Sequence, residues 1–201
     1  MSRPARYLLF AQIGFSVSLV VCALLDPEGL RDNHGWSYYE EHEHTLVPYL
    51  LGFAGLVILI VYAARLLERT AAPPGLAAAL RWLAVFLLLD VATPDTVNSL
   101  FYWAHDLTSA LLFVYELGFA FWLVRTVWPT RFGIALVVTQ FVGGLVAMLS
   151  QLHLISALGP GILIFQVSFG ILLVAAVAHV GEVALDEVVA DEEVTAPAVG
   201  R

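Results

Sequence analysis

The chain contains no lysine: all nine of its basic residues are arginine, and charged residues of both signs make up only 13% of its 201 positions. A soluble domain of this size would carry about a quarter charged residues. A single cysteine, Cys22, excludes an internal disulfide and any cysteine-built zinc site. The net charge of −8 excludes the basic face that nucleic acid requires, so nucleic acid is not an expected partner. No H-E-x-x-H segment and no G-x-S-x-G turn occur, which removes the common signatures of zinc proteases and serine hydrolases. Internal repeats of the kind found in many transporters are also absent.

What the chain has instead is apolar length. Sixty per cent of its residues are hydrophobic, in runs near twenty residues, about what a helix needs to cross the hydrocarbon. Six spans are expected, near 7–25, 46–66, 76–93, 106–127, 132–152 and 161–183. The first is read as a retained span rather than a cleaved signal peptide. Pro48, Ala71-Ala72-Pro73-Pro74-Gly75, Trp128-Pro129-Thr130 and Gly159-Pro160-Gly161 punctuate helix ends.

The expected fold is therefore all-α, a polytopic six-transmembrane-helix bundle forming one domain over residues 1–183. Residues 184–201 read as an acidic, disordered cytoplasmic tail. Arg3, Arg6, Arg65, Arg69, Arg125 and Arg131 fall on one side of such a bundle, and Arg81 can snorkel back to it; Arg31 alone falls opposite. The positive-inside rule then puts both termini in the cytoplasm. The Arg-only, Ala/Val/Leu-rich composition points to the plasma membrane of a prokaryote, with the lipid bilayer as first partner. Homo-oligomers and membrane-complex partners fit the same composition.

Ionisable residues within hydrocarbon are costly and mark function by default. Glu116 lies about 11 residues into the fourth span, near mid-bilayer at about 1.5 Å per residue. At about 100° per residue, His105, Ser109, Leu112 and Glu116 share one stripe, which Tyr102 joins if the helix begins early. The fifth span offers Gln140, Gly144, Ala147 and Gln151, small residues with polar ends that favour close helix approach. Glu116, His105, Ser109, Gln140 and Asp106 are thus candidates for a proton or cation path; the competing reading makes Glu116 a neutral packing group. Gln12, Ser16, Gln166 and Ser168 add polarity from the first and last spans. Asp90 reads as a carboxylate at the water boundary.

Five of six histidines map to the outer side, among them His34, His42, His44, His105 and His153, with Asp32, Glu40, Glu41, Glu43, Asp95 and Asp106 around them. Imidazole and carboxylate suit zinc or another divalent metal, and His42, His44, His105 and His153 are the candidate ligands. His42 and His44 project together only from extended backbone, because on a helix they diverge by about 200°. A pH-sensing cluster uses the same residues. Tryptophans and tyrosines at both boundaries have the distribution of interfacial belts.

Gly35-Trp36-Ser37-Tyr38-Tyr39, Thr45-Leu46-Val47-Pro48-Tyr49 and Trp103-Ala104-His105 resemble a family of small, uncharacterised bacterial six-span membrane proteins. The resemblance implies the six-span topology and singles out His105. Glu40 to His44 is not part of that pattern, which counts against a family-wide metal site there. Three functions are open at this stage. The first is a non-enzymatic transport-like or sensing bundle that handles protons or a cation through an outer His/Asp vestibule and Glu116. The second is an intramembrane metal-dependent lipid hydrolase, and the third an accessory or scaffold subunit of a membrane complex.

Overall fold

The computed structural model describes residues 1–31, 35–70, 72–94 and 99–195; the side chains of Arg31 and of residues 184–195 fall outside that description. Asp32, His34 and Asp95, named above on sequence grounds, lie outside the described residues. Among the described residues the chain is helical, with no strand. Six main helices alternate in direction: α1 (Arg3–Leu25), α4 (Glu43–Leu67), α5 (Leu76–Val91), α6 (Ser99–Thr126), α7 (Arg131–Gln151) and α8 (Leu158–Thr195). Two short turns, α2 (Glu28–Arg31) and α3 (Tyr38–Glu41), lie in the first connection.

Five of the six, all but α5, are long and apolar enough to cross a membrane. Their outward faces carry bare hydrophobic side chains, Val114 at 71% exposure and Phe10 at 60% among them. In water such a surface would drive aggregation, whereas lipid covers it at no cost. This is the architecture of a membrane-embedded helical bundle. Where a span over 76–93 was expected, α5 has 16 residues. At about 1.5 Å per residue it is about 24 Å long, short of the hydrocarbon thickness of about 30 Å. Gly75, at φ 92, starts it in a conformation that only glycine adopts freely. Its end at Val91 precedes Ala92 and Thr93, whose hydroxyl turns back to the Leu89 and Asp90 carbonyls.

Side-chain pairs record how the helices run. Tyr7 stacks on Tyr62 at one end of the α1/α4 pair, and Cys22 reaches the Thr45 carbonyl at the other. Tyr115 donates to the Ala79 carbonyl and Ser109 to Asp90 across α5/α6. Phe113 stacks on Phe165 and Phe119 meets Phe169, so α6 and α8 run parallel. Ser2 packs on Gly181 and bonds the Val177 carbonyl, so the N-terminus and the far part of α8 share one end. The chain closes into a ring, α1–α4–α5–α6–α8–α1, with α7 packed against α6 and α8. One end of the ring carries Arg3, Arg6, Arg65, Arg69, Arg81, Arg125 and Arg131; the other carries His42, His44, His105 and His153. Arg81 ion-pairs with Glu68 across the α4/α5 connection.

The α7/α8 contact is closer than side chains would allow. A Cβ at Gly143 would sit 2.6 Å from the Phe165 amide nitrogen, and one at Gly161 would sit 2.5 Å from that of Ala147. Backbone therefore meets backbone, as small residues permit in membrane helices. The residues in closest contact are Gly143 and Ala147, with Gly144 against the Phe165 ring rather than its backbone. Thr130 caps α7 by accepting the Gly133 N–H at 3.0 Å. Helix α8 continues to Thr195, past the point where a disordered tail was expected. Its Ala, Leu, Val and Glu content after residue 184 suits a helix that simply leaves the apolar layer.

Candidate functional site

A cavity of about 770 Å³ lies among the helices, reaching α7 as well as the ring, and extends to the histidine end. Every main helix contributes to it, together with the loop at Gly35 to Tyr38. Four carboxylates line it (Glu41, Asp90, Asp106 and Glu116), with His105, Ser109 and Gln166. The α6 stripe of His105, Ser109, Leu112 and Glu116 faces this space. Because α6 is already helical at Ser99, Tyr102 joins the stripe and lines the cavity as well.

Glu116 is 2% exposed and accepts a hydrogen bond at Oε2 from the Gln166 side-chain amide of α8, at 2.8 Å. Among the described residues this is its one hydrogen bond, so Oε1 is left to the cavity that Glu116 lines. A carboxylate taken out of water with a single donor is poised to bind a proton or a positive charge. Nearer the histidine end, Ser109 donates to Asp90 Oδ1 at 2.5 Å and Thr93 meets Thr108 at 3.0 Å. Asp90 is thus held against α6 inside the cavity instead of facing bulk water. His105 lines the same cavity, and its buried Nδ1 has no hydrogen-bond partner among the described residues. Glu116 follows His105 by 11 residues on α6, about 17 Å along the axis.

The remaining candidates are placed elsewhere. Gln140 is fully buried in α7, is not among the cavity's lining residues, and neither of its amide atoms has a partner among the described residues. Gly144, Ala147 and Gln151, on the same stripe of α7, do line the cavity.

His42 and His44 approach each other with ring centroids 6.0 Å apart. The reason is local: His42 is extended (φ −107°, ψ 124°) between α3 and α4, which gives the pair the common direction that a continuous helix denies it. Each ring has its own partner, however. His42 Nδ1 meets the Tyr38 carbonyl at 2.8 Å, and His44 Nε2 meets Asp26 Oδ2 at 3.1 Å. His105 belongs to the cavity, and His153 ends α7 in a left-handed turn at φ 57, exposed. Among the described residues no three His, Cys, Asp or Glu side chains gather as a metal would require. The four histidines do not converge: His42 and His44 belong to the Asp26 cluster, His105 to the cavity and His153 to the exposed end of α7.

Asp26 organises the first connection. Its Oδ1 accepts the Glu28 N–H at 3.1 Å, and its Oδ2 takes the Tyr38 hydroxyl at 3.2 Å and the His44 ring. Burial works to raise this carboxyl, but the three hydrogen bonds and the nearby His42 outweigh it and hold its pKa below the ordinary value. Thr45 completes the tie, donating to the Tyr39 carbonyl at 2.7 Å. The Asp26 cluster positions Gly35 to Tyr38 over the cavity.

The sequence pattern contained no direct signal for two of these features. The Asp90–Ser109 bond joins residues 19 apart through a connection that lacks any motif. Gln166 was visible as a polar residue in the last span, but its pairing with Glu116 required α6 and α8 to be neighbours. No family model, curated protein or solved structure matches the chain.

Proposed function

We propose that this chain is a non-enzymatic, six-span plasma-membrane protein of a prokaryote, both ends cytoplasmic, that conducts or senses protons or a cation through the cavity above Glu116. The observation that carries the reading is the shared cavity. Glu116, almost fully buried and with one oxygen unpaired, lines the same space as His105, Asp106 and the Asp90–Ser109 pair. Protons reaching the histidine end meet His105 and Asp106 first, then Asp90, and lastly Glu116. Leu112 and Phe113 separate Ser109 from Glu116, so the last stretch is crossed through water in the cavity. The volume of about 770 Å³ far exceeds the roughly 30 Å³ that one water occupies in the liquid.

The same ring supports the topology proposed here. Helix α5 is tied at its start by Arg81–Glu68 and near its end by Asp90–Ser109, so it runs along its neighbours from end to end. Counted as a sixth, short span, it makes the crossings even in number. Seven arginines at one end then put that end in the cytoplasm.

The test is proton flux. In proteoliposomes with an entrapped pH dye, the protein dissipates an imposed pH gradient, and Glu116→Gln abolishes this while circular dichroism stays helical. Unchanged flux in a folded Glu116→Gln protein removes Glu116 from the mechanism.

A further inference from the structure

The cavity is far larger than a proton path requires. At about 770 Å³ it falls in the range of about 300–1,000 Å³ typical of sites for drug-sized molecules. Its lining combines two chemistries that rarely meet inside a helical bundle. The first is acidity: four carboxylates and, among the described residues, neither arginine nor lysine. The second is aromatic. On the α1/α4 side, Phe15 packs edge-on against Trp36 at 5.6 Å and Phe53 at 4.8 Å, and Tyr49 lies 4.8 Å from Phe53. On the α6/α8 side, Phe113 stacks on Phe165 at 4.3 Å. All of these residues line the cavity.

Each feature excludes a class of ligand. An anion meets four carboxylates and, among the described residues, no arginine or lysine. A hydrated inorganic cation finds no cage, since hard ions take about six or more oxygens and the walls are mainly aromatic and aliphatic. A neutral apolar molecule leaves the unpaired Glu116 oxygen unsatisfied, as it is without a ligand. A bulky cation with an apolar body satisfies both chemistries, its charge near Glu116 and its body against aromatic faces that attract cations.

We propose that the cavity is a binding site for a lipophilic, monovalent organic cation of aromatic or amphiphilic ammonium type. Such a ligand enters at the histidine end beside Trp36 and Tyr38 and neutralises Glu116. This inference rests on the reading of the cavity and Glu116 given above, and names the cation.

Purified wild-type protein in detergent is titrated by calorimetry with tetraphenylphosphonium and, separately, with tetraphenylborate, an anion of nearly the same shape. The phosphonium is expected to bind saturably, one per chain, and the borate to show only unsaturable micelle partitioning. Glu116→Gln is expected to weaken phosphonium binding at least about tenfold, because the buried countercharge is lost. Trp36→Leu, which leaves the membrane interior untouched, should weaken it about threefold or more. Equal saturable binding of both ions, or no saturable binding of the phosphonium, overturns the proposal. The wild-type comparison decides this even if the Glu116 variant does not fold. Proton flux with no phosphonium binding would overturn this inference and leave the proposed function standing. Phosphonium binding sensitive to Glu116 in a protein without flux would uphold the site and overturn the transport reading.

Discussion

Gln166 donates to Glu116 at 2.8 Å across the α6/α8 interface, joining residues 50 positions apart at the floor of the cavity. It is the one hydrogen bond a carboxylate with 2% exposure receives among the described residues. Gln166→Leu therefore strips a buried acid of its partner and is expected to cost about 1–3 kcal/mol. Thermal unfolding in detergent, followed by tryptophan fluorescence, reads the loss. The pair Glu116→Leu with Gln166→Leu should cost less than the two singles added together, because no polar group is then left behind. Additive costs would show that the two side chains do not act as a unit.

The α7/α8 crossing makes a sharper steric forecast. Gly143→Val and Gly161→Val each place carbon against backbone at 2.6 and 2.5 Å, and each should destabilise by about 1–3 kcal/mol. Gly55→Ala and Gly118→Ala meet nothing within 4 Å and should be neutral or slightly stabilising, since alanine is the better helix former. Equal melting temperatures across the four variants would contradict the close crossing.

Acid should weaken the first connection through Asp26. Its carboxyl is held below the ordinary value of 3.8 in the folded protein. A depressed pKa stabilises the fold above the unfolded value, and that contribution disappears as pH falls through the folded one. Wild-type protein should thus melt above Asp26→Asn at neutral pH, by a margin that shrinks below about pH 4. Parallel melting curves down to pH 3 would place the stabilisation elsewhere.

The short α5 makes the topology testable with cysteines. Native Cys22 is fully buried, so single introduced cysteines report alone on brief labelling. Thr70 and Ala92 flank α5 and are both exposed. If α5 crosses the membrane, a membrane-impermeant maleimide applied to intact cells labels Ala92→Cys, and it reaches Thr70→Cys only after permeabilisation. Labelling of both, or of neither, from outside reduces the crossings to five.

Much of the helical framework was legible before any fold was known. Five of the six expected spans lie within long apolar helices, and Thr130 and Gly75 stand where they punctuate helix starts. Deviations cluster where local rules compete. Helix α4 begins at Glu43, earlier than the span expected from 46, because the extended His42 supplies its start. Polar residues such as Asp186 and Glu187 suggested disorder, yet helix propensity carries α8 through them. The His105-to-Glu116 stripe was readable because helical period alone sets which residues share a face. Gln140 shares the stripe of Gly144, Ala147 and Gln151 but is outside the cavity's lining, and single-helix geometry holds no record of where a space between helices ends.

By itself the sequence determined the class of protein, the helical period, the mid-span position of Glu116 and the segregation of arginine from histidine. Each of these depends on interactions within one helix or between one residue and its solvent. Only the tertiary structure decided which partner Glu116 has, that Asp90 turns inward to Ser109, that the histidines divide among separate networks, and that an aromatic, acid-lined cavity exists. Those features need two or more helices to meet at a given rotation and depth. That meeting is decided by packing between distant segments, such as the bare backbone contact of Gly143 and Gly161 with their partners across the interface.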